Sequence, residues 1–462
     1  MKKINFLILG LLILVNLSGY SLLENQSGNY HQILEAKAMA MGNTGVSAEM
    51  DSPFLRVLNP GGFNFNEKRI RLDMSINGDY VLDKRTVPMY NSFEAYTDEA
   101  TYASNQNVFF LSNLGCGYTY VMDKITLNTD LVFYQKTDFN SDYDEQIRNN
   151  GSSNNNSYPP IIAKNFIESD GAINSLAFNF NAVYMNKYSL GLMVEKLYGE
   201  SDYEKRIEWS NYSASVIDSL EGFQTELHRE FDAVSFKIGT MLKPHPRVTL
   251  GLSYSPKIDY DLEGYKDSLA LDEAVQVYYS KQDSMGNYVP FDSTMYSEYN
   301  EPSRLRFGFT YKPRNFMKTK FRFDVEIVDW SDVNSLYDSE LNYYTGIEHL
   351  IQNKLPFRFG FKYQTKYFLV EHEGAVFSQK VRMPGFTVGT GFDVLKNLSV
   401  NTAFEIQKRK YEFLDLFPDS FYDKSELWEN YNYLNLQDRG WENPDTVKET
   451  FIKFLGSIQF RF

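Results

Sequence analysis

The sequence predicts an all-β fold, a transmembrane antiparallel β-barrel of about 14 strands. Residues 304–330 show the alternation on which this prediction rests. In the run 321–325, for example, the charged residues Arg322 and Asp324 alternate with the apolar residues Phe321, Phe323 and Val325. Side chains alternate across a strand, so each strand has an apolar face and a charged face. Connections are short at one end of the hairpins and long and polar at the other. An aromatic content of 16% supplies rings for both lipid boundaries. These three observations favour lipid outside and a polar lumen within.

The alternation begins at Lys68 and continues to the C-terminal Phe462. Tight turns are predicted at residues 122–124, 186–187, 244–246, 314–315, 365–366 and 396–397. Long polar connections are predicted at residues 84–101, 142–170, 207–224, 263–299, 331–353 and 414–447. The breaks near residues 371–382 are weak, so the strand count is set to within two. An even number of strands places both chain ends on the side of the short turns.

A large soluble all-β protein would alternate in a similar way, with its apolar face inward. Residues 1–21 argue against it, because a basic start, the apolar run 4–15 and small residues at 19–21 predict a secretory signal peptide. An uncleaved anchor is the alternative for this stretch. The asymmetric loops and the aromatic final strand also favour the membrane barrel. A mean hydropathy of −0.42 excludes a bundle of membrane-spanning helices.

Residues 22–67 lack strand alternation and are rich in small residues. Residues 35–41 are predicted to form a short helix, and Asn59-Pro60-Gly61-Gly62 predicts a turn. This segment is too apolar for a solvated tail, so we expect its apolar residues to be buried against another part of the protein. The chain is therefore divided into a signal peptide (1–21), an N-terminal plug segment (22–67) and an outer-membrane barrel (68–462).

Composition excludes several functions. A net charge of −14 argues against nucleic-acid binding, which needs a basic face. The single cysteine, Cys116, is predicted to be a small buried residue. The five histidines are scattered without metal-ligand spacing, and no nucleophile elbow, phosphate loop or dinucleotide motif is present. We therefore predict no enzyme activity, no metal and no cofactor.

Residues 35–48 followed by Asn59-Pro60-Gly61-Gly62-Phe63 resemble the plug of FadL-type outer-membrane transporters. Residues 323–331, 356–363 and 386–392 resemble strands in the last part of that family. The chain departs from the usual plug in having Gly61-Gly62 where Ala-Gly is common. The resemblance implies a plugged 14-stranded barrel in the cell outer membrane that imports hydrophobic small molecules, such as long-chain fatty acids, by passive diffusion. Release through a plug rearrangement or through a lateral gap is implied. The terminal Phe462 resembles the signal that outer-membrane assembly machinery recognises.

Two groups of candidate residues follow. A hydrophobic ligand needs an apolar pocket, and the candidate ligand-binding residues are Met39, Met41, Phe54, Leu55 and Phe63. The predicted lumen charges are Arg71, Asp73, Arg306, Arg322, Asp324, Glu326 and Arg358. These charges either hold the plug and brace the wall or, in the case of the arginines, meet a ligand carboxylate. The resemblance also leaves a second function open, a PorV-like barrel that acts as a binding platform for secreted or surface proteins.

Overall fold

A computed structural model provides the coordinates of the protein. It describes residues 28–49, 52–63, 70–93, 95–151, 158–220, 222–270, 275–276, 299–333, 335, 337–352, 354–372, 375–434, 436, 438, 440–441 and 443–462. The predicted signal peptide, residues 1–21, and the predicted start of the alternation at Lys68 lie outside the described residues.

Most of the described chain is β-strand. The strands of the first half are β1 (Asn29–Tyr30), β2 (Ile70–Tyr90), β3 (Tyr96–Val121), β4 (Ile125–Asp138), β5 (Ser141–Arg148), β6 (Ile161–Tyr184), β7 (Tyr188–Trp209), β8 (Phe223–His245), β9 (Val248–Ser255) and β10 (Ile258–Asp259). The strands of the second half are β11 (Asp261–Ala270), β12 (Val275–Gln276), β13 (Asn300–Glu301), β14 (Ser303–Tyr311), β15 (Lys320–Asp329), β16 (Glu340–Ile351), β17 (Leu355–His372), β18 (Ala375–Leu395), β19 (Leu398–Phe413) and β20 (Asp445–Arg461).

The helices are short. They are α1 (Ala36–Met39), α2 (Pro53–Leu58) and α3 (Asn211–Val216), with 3₁₀ turns at Trp330–Asp332, Asp419–Tyr422, Ser425–Leu427 and Tyr431–Tyr433. The α1 helix confirms the helix predicted within residues 35–41, whereas the sequence had given no helix at α2. Among the described residues, no helix has both the length and the apolar character needed to cross a membrane.

Neighbouring strands pair antiparallel around a closed wall. The last strand, β20, pairs with the first wall strand, β2, from Arg71–Arg461 to Thr86–Thr446. β4 and β5 both pair with β6, and β9 and β11 both pair with β8, so each couple forms one wall strand. The described residues therefore form a closed barrel of 14 wall strands, which confirms the predicted barrel and its strand number.

The faces of the strands have the predicted orientation. Leu305, Phe307 and Phe359 are 41%, 44% and 49% exposed on the outside, whereas Arg322 and Arg358 are only 3% exposed on the inside. An apolar outer surface around a polar interior is the reverse of a soluble β-sandwich. The apolar rows therefore face lipid, as in an outer-membrane barrel.

Several details of the sequence analysis are wrong. The long connection predicted at residues 331–353 contains β16, and the one predicted at residues 142–170 contains most of β5 and the start of β6. Their polar residues alternate with apolar ones along strands that continue past the lipid level. The turn predicted at residues 365–366 lies inside β17, and β16 ends at Ile351, shortly before β17 begins at Leu355. The polar residues that suggested a turn instead bond inside the barrel, where the Thr365 backbone N–H donates to the Asn342 side chain at 2.8 Å. Cys116 is exposed rather than buried, because it occupies an outward position of β3.

The lumen is filled by an N-terminal segment of the chain and by inward-facing side chains of the wall. Residues 28–49 and 52–63, here called the inner segment, lie against inward-facing side chains of the wall near the short turns. The half of the lumen nearer the long loops contains clusters of apolar side chains beside buried charges such as Arg409 and Glu449. One cluster of these, here called the apolar roof, consists of Val81, Phe368, Val381, Met383, Tyr411, Val447 and Phe451.

Candidate functional site

The wall is interrupted between β3 and β4. Their ladder ends at the pair Leu114–Phe133, and farther along, the Asn107 side chain donates a hydrogen bond to the backbone oxygen of Asp142 at 2.9 Å. Residues 108–113 of β3 lie between these contacts, beyond the end of the β3–β4 ladder. Six extended residues span roughly 20 Å. This interval is here called the wall gap.

The wall gap lies at the level of the lipid. Val108 and Phe110 point outward from its β3 edge and are 55% and 46% exposed. On the same edge Leu111 is buried inside the barrel, and Phe109 packs against the apolar roof. One edge of the gap therefore carries apolar side chains on both its lipid face and its lumen face.

A β-bulge in β4 lies just beyond the end of the β3–β4 ladder. The register of β4 against β6 shifts between Gln135 and Thr137, so Lys136 is an extra residue with no paired residue on β6. From this bulge the strand turns inward, and residues 134–139 are all buried. Beyond this point β4 stays paired with β6, whereas its ladder with β3 has ended.

Buried charges fix the bulge. The Lys136 Nζ lies 3.1 Å from Glu195 Oε2 and 3.5 Å from Glu301 Oε2. Glu195 also accepts hydrogen bonds from the Tyr134 hydroxyl at 2.7 Å and the Ser235 hydroxyl at 2.9 Å. A buried cation costs free energy unless carboxylates and hydrogen bonds compensate it. The inward turn of β4 is thus tied to β7, to β8 and to β13.

The inner segment begins on the inward turn of β4. Tyr30 of β1 pairs with Thr137, and the His31 N–H donates to the backbone oxygen of Lys136 at 2.7 Å. The Arg304 guanidinium lies 3.9 Å from the centre of the Tyr30 ring, a distance at which a cation is attracted to the ring face. The N-terminal end of the inner segment and the bulge therefore form one structural unit.

Glycines of the wall receive the backbone of the inner segment. Three glycine pairs face each other across neighbouring strands: Gly191–Gly239, Gly251–Gly308 and Gly346–Gly360. A Cβ on Gly346 would lie 2.3 Å from the Met41 backbone oxygen, and one on Gly251 would lie 2.2 Å from that of Val46. A Cβ on Gly191 would lie 2.2 Å from the Pro60 backbone oxygen. Only glycine leaves room for such backbone contacts, so these pairs are three notches that hold the inner segment.

All seven predicted lumen charges are buried inside the barrel: Arg71, Asp73, Arg306, Arg322, Asp324, Glu326 and Arg358. Asp324 contacts the inner segment directly. Its Oδ2 accepts the backbone N–H groups of Gly45 at 2.9 Å and Val46 at 3.2 Å, and lies 3.2 Å from Arg306 Nη2. These contacts are what the bracing interpretation expects of a lumen charge.

Four of the other lumen charges also have protein partners. Asp73 accepts a hydrogen bond from Ser52 of the inner segment at 2.6 Å. Arg71 lies 2.8 Å from Asp130 on β4. Glu326 accepts a hydrogen bond from the Gln32 amide at 3.1 Å, and Arg358 lies 2.7 Å from Glu348. The three acidic residues Asp73, Asp324 and Glu326 each accept at least one hydrogen bond from the inner segment.

The structure does not bring the five candidate ligand-binding residues together. Met39 borders a cavity of the lumen, and Met41 lies in the Gly346–Gly360 notch. Phe54 packs in a cluster with Val132 of β4. Leu55 packs within the inner segment, on Ala38 and Leu58. Phe63 packs against Val183 and Met241 of the wall. Ligand binding by this group stays a prediction.

The predicted turn at residues 59–62 is present and locks the end of the inner segment. The Asn59 side chain donates to the Val46 backbone oxygen at 2.6 Å and accepts from the Gly61 N–H at 2.9 Å. A Cβ on Gly61 would lie 2.5 Å from the Gly239 backbone oxygen. This contact explains why position 61 carries glycine.

A cavity of about 110 Å³ lies between β1, α1 and the wall. Its charged lining consists of Arg304, Arg306, Lys362, Lys366, Lys453, Glu326, Glu340 and Glu405, five basic and three acidic residues. Its apolar lining includes Met39 and two residues of the apolar roof, Met383 and Phe451. Among the described residues, no group of three histidine, cysteine or acidic side chains could hold a metal ion.

Sequence reasoning missed the apolar roof. The available signal is apolar residues at inward positions near the long loops, such as Val447 and Phe451 on the same face of β20 as Lys453. Strict alternation directs attention to the outward rows, where apolar residues are expected. The roof joins the cavity, through Met383, to the wall gap, through Phe109.

A closed 14-stranded barrel with lipid-facing apolar rows, a polar lumen and asymmetric loops defines a multi-pass outer-membrane β-barrel protein. Its fold is, more particularly, that of the FadL-type transport barrels. A FadL homologue of Pseudomonas aeruginosa superposes with a TM-score of 0.59 at 13% sequence identity, over 94% of this chain and 100% of that one. The Pseudomonas putida toluene transporter TodX gives 0.57 at 13% identity, over 94% and 99%. The Ralstonia pickettii toluene transporter TbuX gives 0.55 at 13%, over 93% and 99%.

Sequence comparisons add no relative to these structures. No protein-family model matches the chain, and no curated protein is recognisably similar to it. The likeness therefore concerns the fold, and the function is argued from the geometry of the wall gap and the lumen.

Proposed function

We propose that the protein imports hydrophobic small molecules by passive diffusion and releases them sideways through the wall gap. The end of the β3–β4 ladder at Leu114–Phe133, together with the inward turn of β4, carries this proposal, because an exit at this place would lead from the lumen to the lipid. The inner segment acts as the plug in this proposal. The solved structures of similar fold, described as a FadL homologue and toluene transporters, support the same class of cargo.

The lateral route matches the polarity of the lumen. An apolar molecule that enters from the loop side meets the apolar roof, and Phe109 leads from this cluster to the gap. Straight ahead it meets buried ion pairs and the tightly held inner segment. Transfer into hydrocarbon is favourable by about 25 cal/mol per Å² of apolar surface, so the molecule leaves toward lipid.

The lining of the cavity suggests the chemistry of the cargo. Basic residues outnumber acidic ones there, and the apolar roof lies next to them. An amphiphile with a carboxylate, such as a long-chain fatty acid, fits both parts. A volume of about 110 Å³ is below the roughly 300–1,000 Å³ of ordinary ligand sites. We therefore propose that the cavity holds the head group and that the acyl chain lies along the roof, with Met39 as the plug residue in contact.

The test removes the gap and leaves the barrel in place. Deletion of Lys136 removes the extra residue, so that Gln135 and Thr137 become consecutive partners on β6 and β4 straightens toward β3. Uptake of a radiolabelled long-chain fatty acid by cells that lack other importers is expected to fall at least tenfold. Surface expression and the heat-dependent gel shift of the folded barrel show that the variant folds.

A one-residue deletion elsewhere is the control. Ser219 lies in the exposed connection between α3 and β8, and its deletion is expected to leave uptake within twofold. Native-like uptake by the folded Lys136 deletion would disprove the lateral route. If cells without the protein take up the fatty acid normally but lose surface proteins, the PorV-like platform is the better interpretation.

A further inference from the structure

Four neighbouring wall strands change from apolar to basic at one level of the outer surface. On β19, outward Phe404 and Ile406 are followed by Lys408 and Lys410. The strands β2, β18 and β20 show the same change toward the long loops. The five exposed residues, here called the outer basic patch, are Lys84, Arg382, Lys408, Lys410 and Lys448. They border an open depression of about 550 Å³.

Like charges oppose each other within the patch. Lys448 of β20 pairs directly with Lys84 of β2 on one side and with Lys410 of β19 on the other. Like charges at directly opposed positions of a sheet are destabilising. Two such pairs share one lysine here, so the patch keeps three ammonium groups in a row across three strands.

The protein neutralises only part of this charge. The Glu99 carboxylate reaches Lys448 and lies 3.4 Å from Lys410. Within the part of the chain that the structure describes, no carboxylate pairs with Lys84, Arg382 or Lys408. Five cations therefore share one described anion, and an external polyanion would relieve their repulsion.

The patch lies where the head groups of the outer leaflet lie. The outward residues just below it, toward the short turns, are apolar, and Phe386, Phe404 and Phe454 are 52%, 43% and 51% exposed. The surface farther around the barrel is different at the corresponding end of the strands. There Asp142, Glu168, Asp170, Asp202, Glu204 and Glu226 border another depression. The basic surface is therefore confined to one side of the barrel and does not form a continuous basic belt around it.

We infer that the outer basic patch binds the phosphate groups of an outer-leaflet glycolipid. Lysine and arginine side chains form charge-assisted hydrogen bonds with phosphate oxygens. A lipid that carries phosphates places them at the patch while its acyl chains lie along the aromatic residues below. A binding site for a structural lipid on the outer wall is separate from the lumen and from the proposed import route.

The test titrates the purified full chain in detergent micelles with diphosphoryl lipid A and counts bound lipid by native mass spectrometry. The variant combines Lys84→Gln, Arg382→Gln and Lys408→Gln. Its affinity is expected to fall at least tenfold. The control variant combines Lys124→Gln, Lys187→Gln and Lys354→Gln, three exposed lysines at the short turns, and its affinity is expected to stay within twofold of native.

Two further probes separate the sources of phosphate. Dephosphorylated lipid A is expected to bind at least tenfold more weakly than the diphosphoryl form, and inorganic phosphate is expected to compete only at millimolar concentration. Equal binding of both lipid forms, or equal loss in both triple variants, overturns the inference. Inorganic phosphate that binds as tightly as the lipid also overturns it, because the site would then be a simple anion site.

Discussion

At the scale of single residues, the most constrained positions are wall glycines. Gly346 pairs with Gly360, and the Met41 backbone lies directly over both. The wall could not accept the inner segment so closely with side chains at these positions. Their role comes from the missing Cβ rather than from a special backbone angle, because neither has a positive φ.

We predict that Gly346→Ala destabilises the folded barrel by about 1–3 kcal/mol, the usual cost of overpacking. Its new methyl group would lie 2.3 Å from a backbone oxygen that cannot move freely. Urea unfolding in lipid vesicles measures the change. Gly78→Ala is the matched control, because its Cβ would meet only the flexible Phe110 ring, at 3.2 Å. Equal stability of the two variants would contradict the notch.

At the scale of elements, the inner segment depends on the wall for its conformation. Its helices α1 and α2 have 4 and 6 residues, and helices this short are not stable by themselves. The wall supplies what they lack through the glycine notches and through acceptors such as Asp324. The wall in turn depends on the inner segment at the Lys136 bulge, because β1 of the inner segment pairs with the inward-turned part of β4.

Asp324→Asn is expected to destabilise the protein by about 3 kcal/mol, because it leaves the buried Arg306 without its carboxylate and weakens the bonds to the inner segment. This loss of unfolding free energy lies at the low end of the roughly 3–5 kcal/mol that breaking a buried ion pair costs, because Arg306 keeps a hydrogen bond to the Asn43 backbone oxygen. Urea unfolding again measures it. For comparison, Asp232→Asn removes an exposed ion pair with Lys196 and is expected to cost less than about 1 kcal/mol. Similar losses in both variants would show that Asp324 does not anchor the segment.

At the scale of the whole molecule, the proposed import could follow either of two routes toward the periplasmic side. Either the inner segment moves out of the lumen, or the cargo leaves through the wall while the segment stays in place. The three notches and the buried acceptors favour a segment that stays in place. The wall gap requires no such movement.

A disulfide between the inner segment and the wall separates the two routes. The hydroxyls of Ser47 and Thr310 are 2.7 Å apart, so Ser47→Cys with Thr310→Cys is suited to cross-linking, in a Cys116→Ser background that removes the exposed native thiol. Fatty-acid uptake is expected to remain within twofold of the reduced protein after oxidation. Uptake that stops on oxidation and returns with reductant would show that the inner segment must move.

Much of the architecture could be predicted from local pattern. A period of two in residues 321–327 fixes which side chains face lipid, and the lengths of the connections fix the up-and-down topology. The turn at residues 59–62 and the helix near residue 36 are local signals of the same kind. The failure at residues 365–366 is instructive, because polar residues inside a lumen resemble polar residues in a turn.

The sequence by itself determined the barrel, the orientation of its faces and the identity of the lumen charges, since these follow from alternation along single strands. Tertiary structure alone decided where the wall opens, which glycines face the inner segment and which lysines oppose each other. Those features depend on register between strands, and one extra residue such as Lys136 changes the register without changing the local pattern. The candidate site is therefore a property of pairing between distant segments.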